Sequence, residues 1–312
     1  INSIPPALLA TLPAASPPPG VVPNFDNPPS RSNLLLGLTS TFLAFAVISY
    51  SIRMYTKIGI FRRVAWDDCK FDGKYDPFTL TQATYVGISI GVIGRHTWDL
   101  PLNKVISQKS LYVAWLTTVM ALPASGFVKL SLFLQYYTLF KVKRYVRISV
   151  IIGSTLTAAF YSLLTILFFG ICSPRRGESI LELTMSRRYT RFTKMSLGVG
   201  IISMLLDWIL LVLPISAVWK IQLSVARKIG VIVVFATGAL ATAGSVTCLY
   251  YRVLYQNDAS DPFWTVSYIS LWTEIEFFAG ITAVCMPTTR QLLVRHNVLP
   301  SFDKSHFTPN LA

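Results

Sequence analysis

The chain has 312 residues, of which 53% are apolar and only 13% charged, with a mean hydropathy of +0.52. That balance excludes a water-soluble globular domain of this size, which would carry far more charge. A formal charge of +14 would suggest nucleic acid in a soluble protein, but the 28 Lys and Arg fall almost wholly between apolar runs and form no contiguous basic face. They are expected to set orientation and to touch anionic headgroups of the lipid bilayer.

The first 32 residues hold nine prolines between Pro5 and Pro29, a density that blocks helix and predicts an extended, disordered extracellular arm over 1–32. No charged start followed by an apolar run precedes the first long apolar segment. That segment is therefore expected to act as a signal anchor, unless the natural start lies upstream.

Apolar runs then predict helices over 34–52, 78–94, 111–138, 148–171, 196–219, 229–251 and 264–288. About 20 apolar residues at about 1.5 Å each cross a hydrocarbon core of about 30 Å, so each run spans once. The expected fold is all-α: a polytopic membrane protein with a seven-transmembrane-helix bundle over 33–290 and a short cytoplasmic tail over 291–312. The second span is the weakest. Its sequence FTLTQATYVGISIGVIG is short and carries Thr79, Thr81, Gln82 and Thr84, so a six-helix protein with a re-entrant segment there is the alternative. Pro123, Pro214 and Pro287 lie in the third, fifth and seventh spans, where each is expected to kink or end its helix.

With the N-terminus outside, the cytoplasmic segments hold 16 Lys and Arg and the outer segments 11, which favours that orientation. The expected location is multi-pass in the plasma membrane or an endomembrane. Cys69, Cys172, Cys248 and Cys285 show no metal spacing, and only Cys172 falls near the outer face, so no intramolecular disulfide is predicted.

Four ionisable residues fall at membrane depth: Lys129, Asp207, Glu274 and Glu276. Such charges are costly in lipid and normally face the bundle interior. Rise alone puts Asp207 about 16 Å and Glu276 about 18 Å from the outer face, in one layer, with Lys129 somewhat deeper. Lys129 is expected to pair with Asp207 or with Glu276. Glu274 and Glu276 lie about 200° apart around their helix and cannot share a partner. The group serves to tie helices together or to hold a ligand or proton, unless Lys129 instead snorkels to the headgroups.

Two loop sequences stand out, RMYTKIGIFRRVAWDDC after the first span and GRHTWDLP after the second. Trp66 is placed to anchor at the cytoplasmic headgroups. Asp67 and Asp68 beside Arg62 and Arg63 are expected to form surface ion pairs, or to bind a divalent ion or a cytoplasmic partner. Gly94, Arg95, His96, Trp98 and Asp99 form a cluster on the other side, where His96 beside Asp99 would be an anchored turn or a pH-sensitive latch. The three histidines lie on opposite sides and cannot form a metal site. No nucleophile elbow or phosphate loop appears, so the chain carries no enzyme signature.

These two motifs resemble the fungal rhodopsin-domain family, seven-helix integral membrane proteins related to satratoxin-cluster membrane proteins and pathogenicity-associated receptor-like proteins. The resemblance continues through Lys129, Leu130 and Ser131, through Asp207, Pro214 and Trp219, through Phe235, Gly238 and Arg252, and through Asp261, Trp272, Glu276 and Pro287. It singles out Glu276 over Glu274. There are departures. One cysteine, Cys172, stands after the fourth span where the family usually has two, Thr138 replaces an Arg, and CKFDGKYDP interrupts the run that normally follows Trp66, Asp67 and Asp68.

Retinal chemistry is not expected despite the family's name, because a Schiff base needs a lysine in the last span and 264–288 has none. No cofactor is expected. Neither an acidic-Arg-aromatic triplet after the third span nor an Asn-Pro-x-x-Tyr run in the seventh supports animal-type G-protein coupling. The resemblance implies a receptor-like protein holding a small-molecule ligand near Asp207 and Glu276, with a cytoplasmic signalling partner. A transporter or an accessory protein of a secondary-metabolite pathway is the alternative.

Overall fold

The computed structural model describes residues 5–60, 87–88, 91–139, 144–218, 225–257 and 260–295. The chain forms α1 (Pro6–Thr11), α2 (Ser32–Met54), α3 (Leu102–Val105), α4 (Gln108–Leu139), α5 (Arg144–Cys172), α6 (Ile180–Met185), α7 (Arg187–Lys194), α8 (Ser196–Val218), α9 (Val225–Asn257) and α10 (Pro262–Arg295). A π-helical turn, Tyr55–Ile60, extends α2. Among the described residues there are two isolated antiparallel bridges and no longer strand. The protein is thus an all-α polytopic membrane protein. The described stretches Ser32–Ile58, Gln108–Thr138, Arg144–Cys172, Arg187–Ile215 and Pro262–Thr289 are long and apolar enough to cross a bilayer. The sixth predicted span, 229–251, lies within the 33-residue α9. Most of the second, 78–94, lies outside the described residues.

The helices are inside-out relative to a soluble bundle. On α5, Val146, Val150, Gly153, Thr157, Tyr161, Leu164, Phe168 and Cys172 recur every three or four residues and are buried. Ile148, Ile151, Ile152, Leu156, Leu163 and Ile166 face outward, as a lipid-facing surface requires. The interior holds polar groups, including Thr39, Ser125, Gln135, Ser245 and all four ionisable residues identified at membrane depth.

α10 is the centre of the bundle. It packs on α9, α2 and α4, and 67% of its apolar window is buried against 17–28% for the other four spans. Close approach to α4 depends on Gly280, where a Cβ would sit 2.3 Å from Val128 Cγ1.

Pro123, Pro214 and Pro287 all lie inside helices. Of the two expectations, kinking or ending a helix, ending is corrected most clearly at Pro287, where α10 continues to Arg295, into the residues expected to be tail. A proline has no N–H for the carbonyl four residues earlier, here that of Ala283. Gln135 Nε2 of α4 donates to that carbonyl at 3.1 Å, and Arg53 Nη1 of α2 donates to Val284 O at 2.6 Å. Neighbouring helices supply what the proline removes, which lets the helix run on in lipid.

The N-terminal arm differs from the disordered segment expected. Residues 12–31 lie along the 94–102 loop. Ala14 N donates to Leu100 O, Leu102 N to Leu12 O and Arg31 N to Gly94 O, each at 2.9 Å. The one regular helix among the arm's described residues is the short α1, which Pro6 begins, and beyond it the backbone docks by isolated bridges at Pro13–Pro101 and Ser30–Arg95 through the N–H groups of Ala14, Arg31 and Leu102. The segment between α5 and α8 is also ordered. Ser179 and Glu182 form a capping box that starts α6, a pattern readable in the sequence but not used above.

Candidate functional site

Lys129 on α4, Asp207 on α8 and Glu276 on α10 meet in the interior. Lys129 Nζ donates to Asp207 Oδ1 and, at 2.8 Å, to Glu276 Oε1. The two pairings that the sequence left as alternatives are made at once. Lys129 is 2% exposed and Glu276 8%, so this one-cation, two-carboxylate set is shielded from water, where ion pairs are strong and an orphaned charge is costly. Glu274 points elsewhere, accepting from Thr39 Oγ1 of α2 at 2.8 Å. The helical phase difference between positions 274 and 276 thus separates their partners.

Beside the triad stands Tyr161 of α5, which sequence reading missed. Its hydroxyl accepts from Ser125 Oγ at 3.0 Å and donates to Ser203 Oγ at 3.2 Å, linking α4, α5 and α8. Gly126 makes this possible, because a Cβ there would lie 2.8 Å from Tyr161 Cβ. A lone Tyr or Ser in an apolar span carries no distinguishing pattern, so only the fold reveals the chain of hydroxyls.

A cavity of about 500 Å³ leads from this layer toward the end of the bundle that carries the 91–110 and 255–263 segments. Glu276, Tyr161, Ser125 and Ser203 line its inner part, Thr117, Ser196 and Arg252 its wall, and Ser110, Thr193 and Pro262 also contribute. Its volume and mainly apolar lining with a few convergent polar groups fall in the range of cavities that can hold a small molecule. Lys129 and Asp207 sit behind Glu276, outside the lining.

The GRHTWDLP segment closes over the same end. Gly94 adopts φ +86°, a backbone region that favours glycine, and its carbonyl receives Arg31 N. His96 does not pair with Asp99 as its sequence proximity suggested. His96 Nδ1 donates to Asp261 Oδ2 at 2.5 Å, at the start of α10, since a carboxylate only accepts. Asp261 Oδ1 also receives Thr97 N at 2.9 Å and Thr97 Oγ1 at 2.7 Å. The imidazole is stacked between Trp98 and Trp264, with centroids at 4.6 and 3.9 Å, and Arg31 lies over Trp264 at 4.4 Å. Asp99 instead accepts from Asn24 N of the arm at 2.9 Å. Burial and the neighbouring Arg95 guanidinium push the Lys104 ammonium below its usual range.

Trp66, Asp67 and Asp68 lie outside the described residues. Cys172 and Cys248 are not in disulfides, and no group of three or more metal-ligating side chains occurs among the described residues.

Residues 52–295 match the family model described as the fungal rhodopsin domain. The chain belongs to that family. Among curated relatives of this fungal rhodopsin-domain protein, "Fugralins biosynthesis cluster protein 2" of Gibberella zeae is 21% identical over 94% of this chain and 73% of its own length. The "SAT4 family membrane protein" of Emericella nidulans is 31% identical over 57% of this chain and 42% of its own length. No solved structure matches. The family match begins near the C-terminal end of α2 and ends with α10, so it takes in the triad, the cavity and the GRHTWDLP loop, while the docked arm precedes it.

Proposed function

We propose that this fungal rhodopsin-domain protein is receptor-like and binds a small molecule in the bundle cavity, entered from the outer side with the N-terminus outside. The observation that supports this reading is the position of Glu276. It is at once part of the cavity lining and bonded to Lys129, so a ligand at Glu276 acts on the contact that joins α10 to α4 and, through Lys129, to α8. Differential contact of this kind is what lets a ligand shift a bundle between two arrangements. The cytoplasmic ends of the same helices would then address a signalling partner.

The name of the Gibberella zeae relative favours a second reading, an accessory or transport role within a biosynthetic cluster. Replacing Ser203 by Phe fills the inner cavity while leaving all three triad residues themselves unchanged. The receptor reading expects a strain carrying S203F to keep its metabolite profile and lose its response to added culture extract. Loss of one metabolite with the response intact would overturn that reading in favour of the second.

A further inference from the structure

Arg252 is the one cation among the described residues that line the cavity, and no described carboxylate forms an ion pair with it, Glu276 acting on it only at longer range. Its Nε donates to Cys248 Sγ at 3.4 Å, and its Nη1 to Ser196 Oγ at 3.1 Å and Ser196 O at 3.3 Å. All three acceptors are neutral. Nη2 makes no hydrogen bond to a described residue, and no described carboxylate comes within 4.0 Å of the guanidinium. The acidic residue on the same cavity wall, Glu276, is already bonded to Lys129.

The side chain is nonetheless held firmly. It packs along Gly200, where a Cβ would come within 3.1 Å of Arg252 Cδ, and Ser196 fixes one edge of the guanidinium. A fixed guanidinium with a spare edge, in a cavity partly open at one end, is suited to a planar oxyanion because its donors match a carboxylate in two parallel bonds. The rest of the lining offers apolar surface from Val113, Ala114, Leu122, Val199, Phe263 and Ile269.

We infer that the cavity takes an amphiphilic organic acid, its carboxylate or acidic enol paired with Arg252 and its apolar body lying between α4 and α10. This rests on the cavity being a small-molecule site. The acid is either a soluble metabolite or a fatty acid from the bilayer, since both present the same chemistry to Arg252.

The test uses the full chain in neutral-lipid nanodiscs, titrated with 2-naphthoate, 2-naphthamide and 2-naphthylmethylammonium. The expected result is naphthoate binding at least about 10-fold tighter than the amide or the ammonium, the scale of one added charge-assisted contact. In R252Q this preference collapses while amide binding stays, and in R252K it partly survives. The wild-type ranking stands without any variant, so a misfolded R252Q does not rescue the inference. Equal binding of the three probes, tighter binding of the ammonium, or no binding of naphthoate overturns it. If the probes bind S203F as well as they bind wild type, the cavity is not their site and the small-molecule reading falls as well. Competition between decanoate and 2-naphthoate then separates the sources, the tighter binder marking a lipid-derived or a soluble acid.

Discussion

Lys129 Nζ lies 2.8 Å from Glu276 Oε1, across 147 residues of sequence, and also bonds Asp207, so one ammonium joins three helices. Removing that ammonium strands two buried carboxylates. K129M is expected to lower stability by about 3–5 kcal/mol, the cost of breaking a buried ion pair from one side. The triple variant K129M/D207N/E276Q removes the charges together and is expected to recover much of the loss. Thermal unfolding of the solubilised chain measures both, and a triple variant no more stable than K129M would contradict the pairing.

Gln135 and Pro287 are expected to be coupled. Q135L leaves the Ala283 carbonyl without a partner, at a cost of about 1–3 kcal/mol. In a P287A background the helix supplies its own N–H, and most of that cost is expected to vanish. Equal costs in both backgrounds would show that Gln135 does not serve the proline.

Asp261 clamps the GRHTWDLP loop through three hydrogen bonds, to His96 and twice to Thr97. D261A is expected to cost about 2–3 kcal/mol locally, in line with bonds to a charged group. Because Arg31 rests on Trp264 and donates to Gly94, the arm should loosen too. Limited proteolysis within residues 12–31 reads this, with faster cleavage in D261A than in wild type.

Gly94 at φ +86° also sits where a Cβ would approach Leu35 Cδ1 at 3.0 Å and Ser32 N at 3.2 Å. G94A is expected to destabilise by about 1–3 kcal/mol from backbone strain alone. G37A, where a Cβ meets nothing within 4 Å, is the control and should be neutral or slightly stabilising.

The segment between α5 and α8 should respond to acid. The Glu178 carboxylate accepts from Arg175 N at 2.9 Å and from Arg188, and these contacts hold it below the usual carboxylate range. A depressed folded pKa contributes stability above the unfolded value of about 4.3, and that contribution is lost as pH falls through the folded value. Amide protection around 175–188, taken relative to the intrinsic exchange rate at each pH, is therefore expected to fall below about pH 4, and E178Q should remove that acid dependence.

The spans that fall in the described residues were legible because each is a single apolar run, and in lipid such a run has to be helix. Their ends were less so. α10 outlasts Pro287 because Gln135 and Arg53 meet carbonyls that no local pattern in 264–288 points to. The layer shared by Asp207 and Glu276 followed from helical rise, yet rise could not say that Lys129 would bond both. His96 looked toward Asp99 because sequence shows neighbours only, whereas its partner Asp261 stands 165 residues away. Proline density correctly excludes helix across most of the arm, but it says nothing about docking, which Asn24, Arg31 and backbone carbonyls provide.

The central claim is that a small molecule occupies the cavity against Glu276. Native mass spectrometry of the full chain, purified in mild detergent from a fungal host grown to metabolite production, tests it most directly. The account predicts a co-purifying small molecule on the wild-type protein that is absent from equally well-folded S203F. No bound small molecule in any wild-type preparation, or one that S203F retains in full, would contradict it.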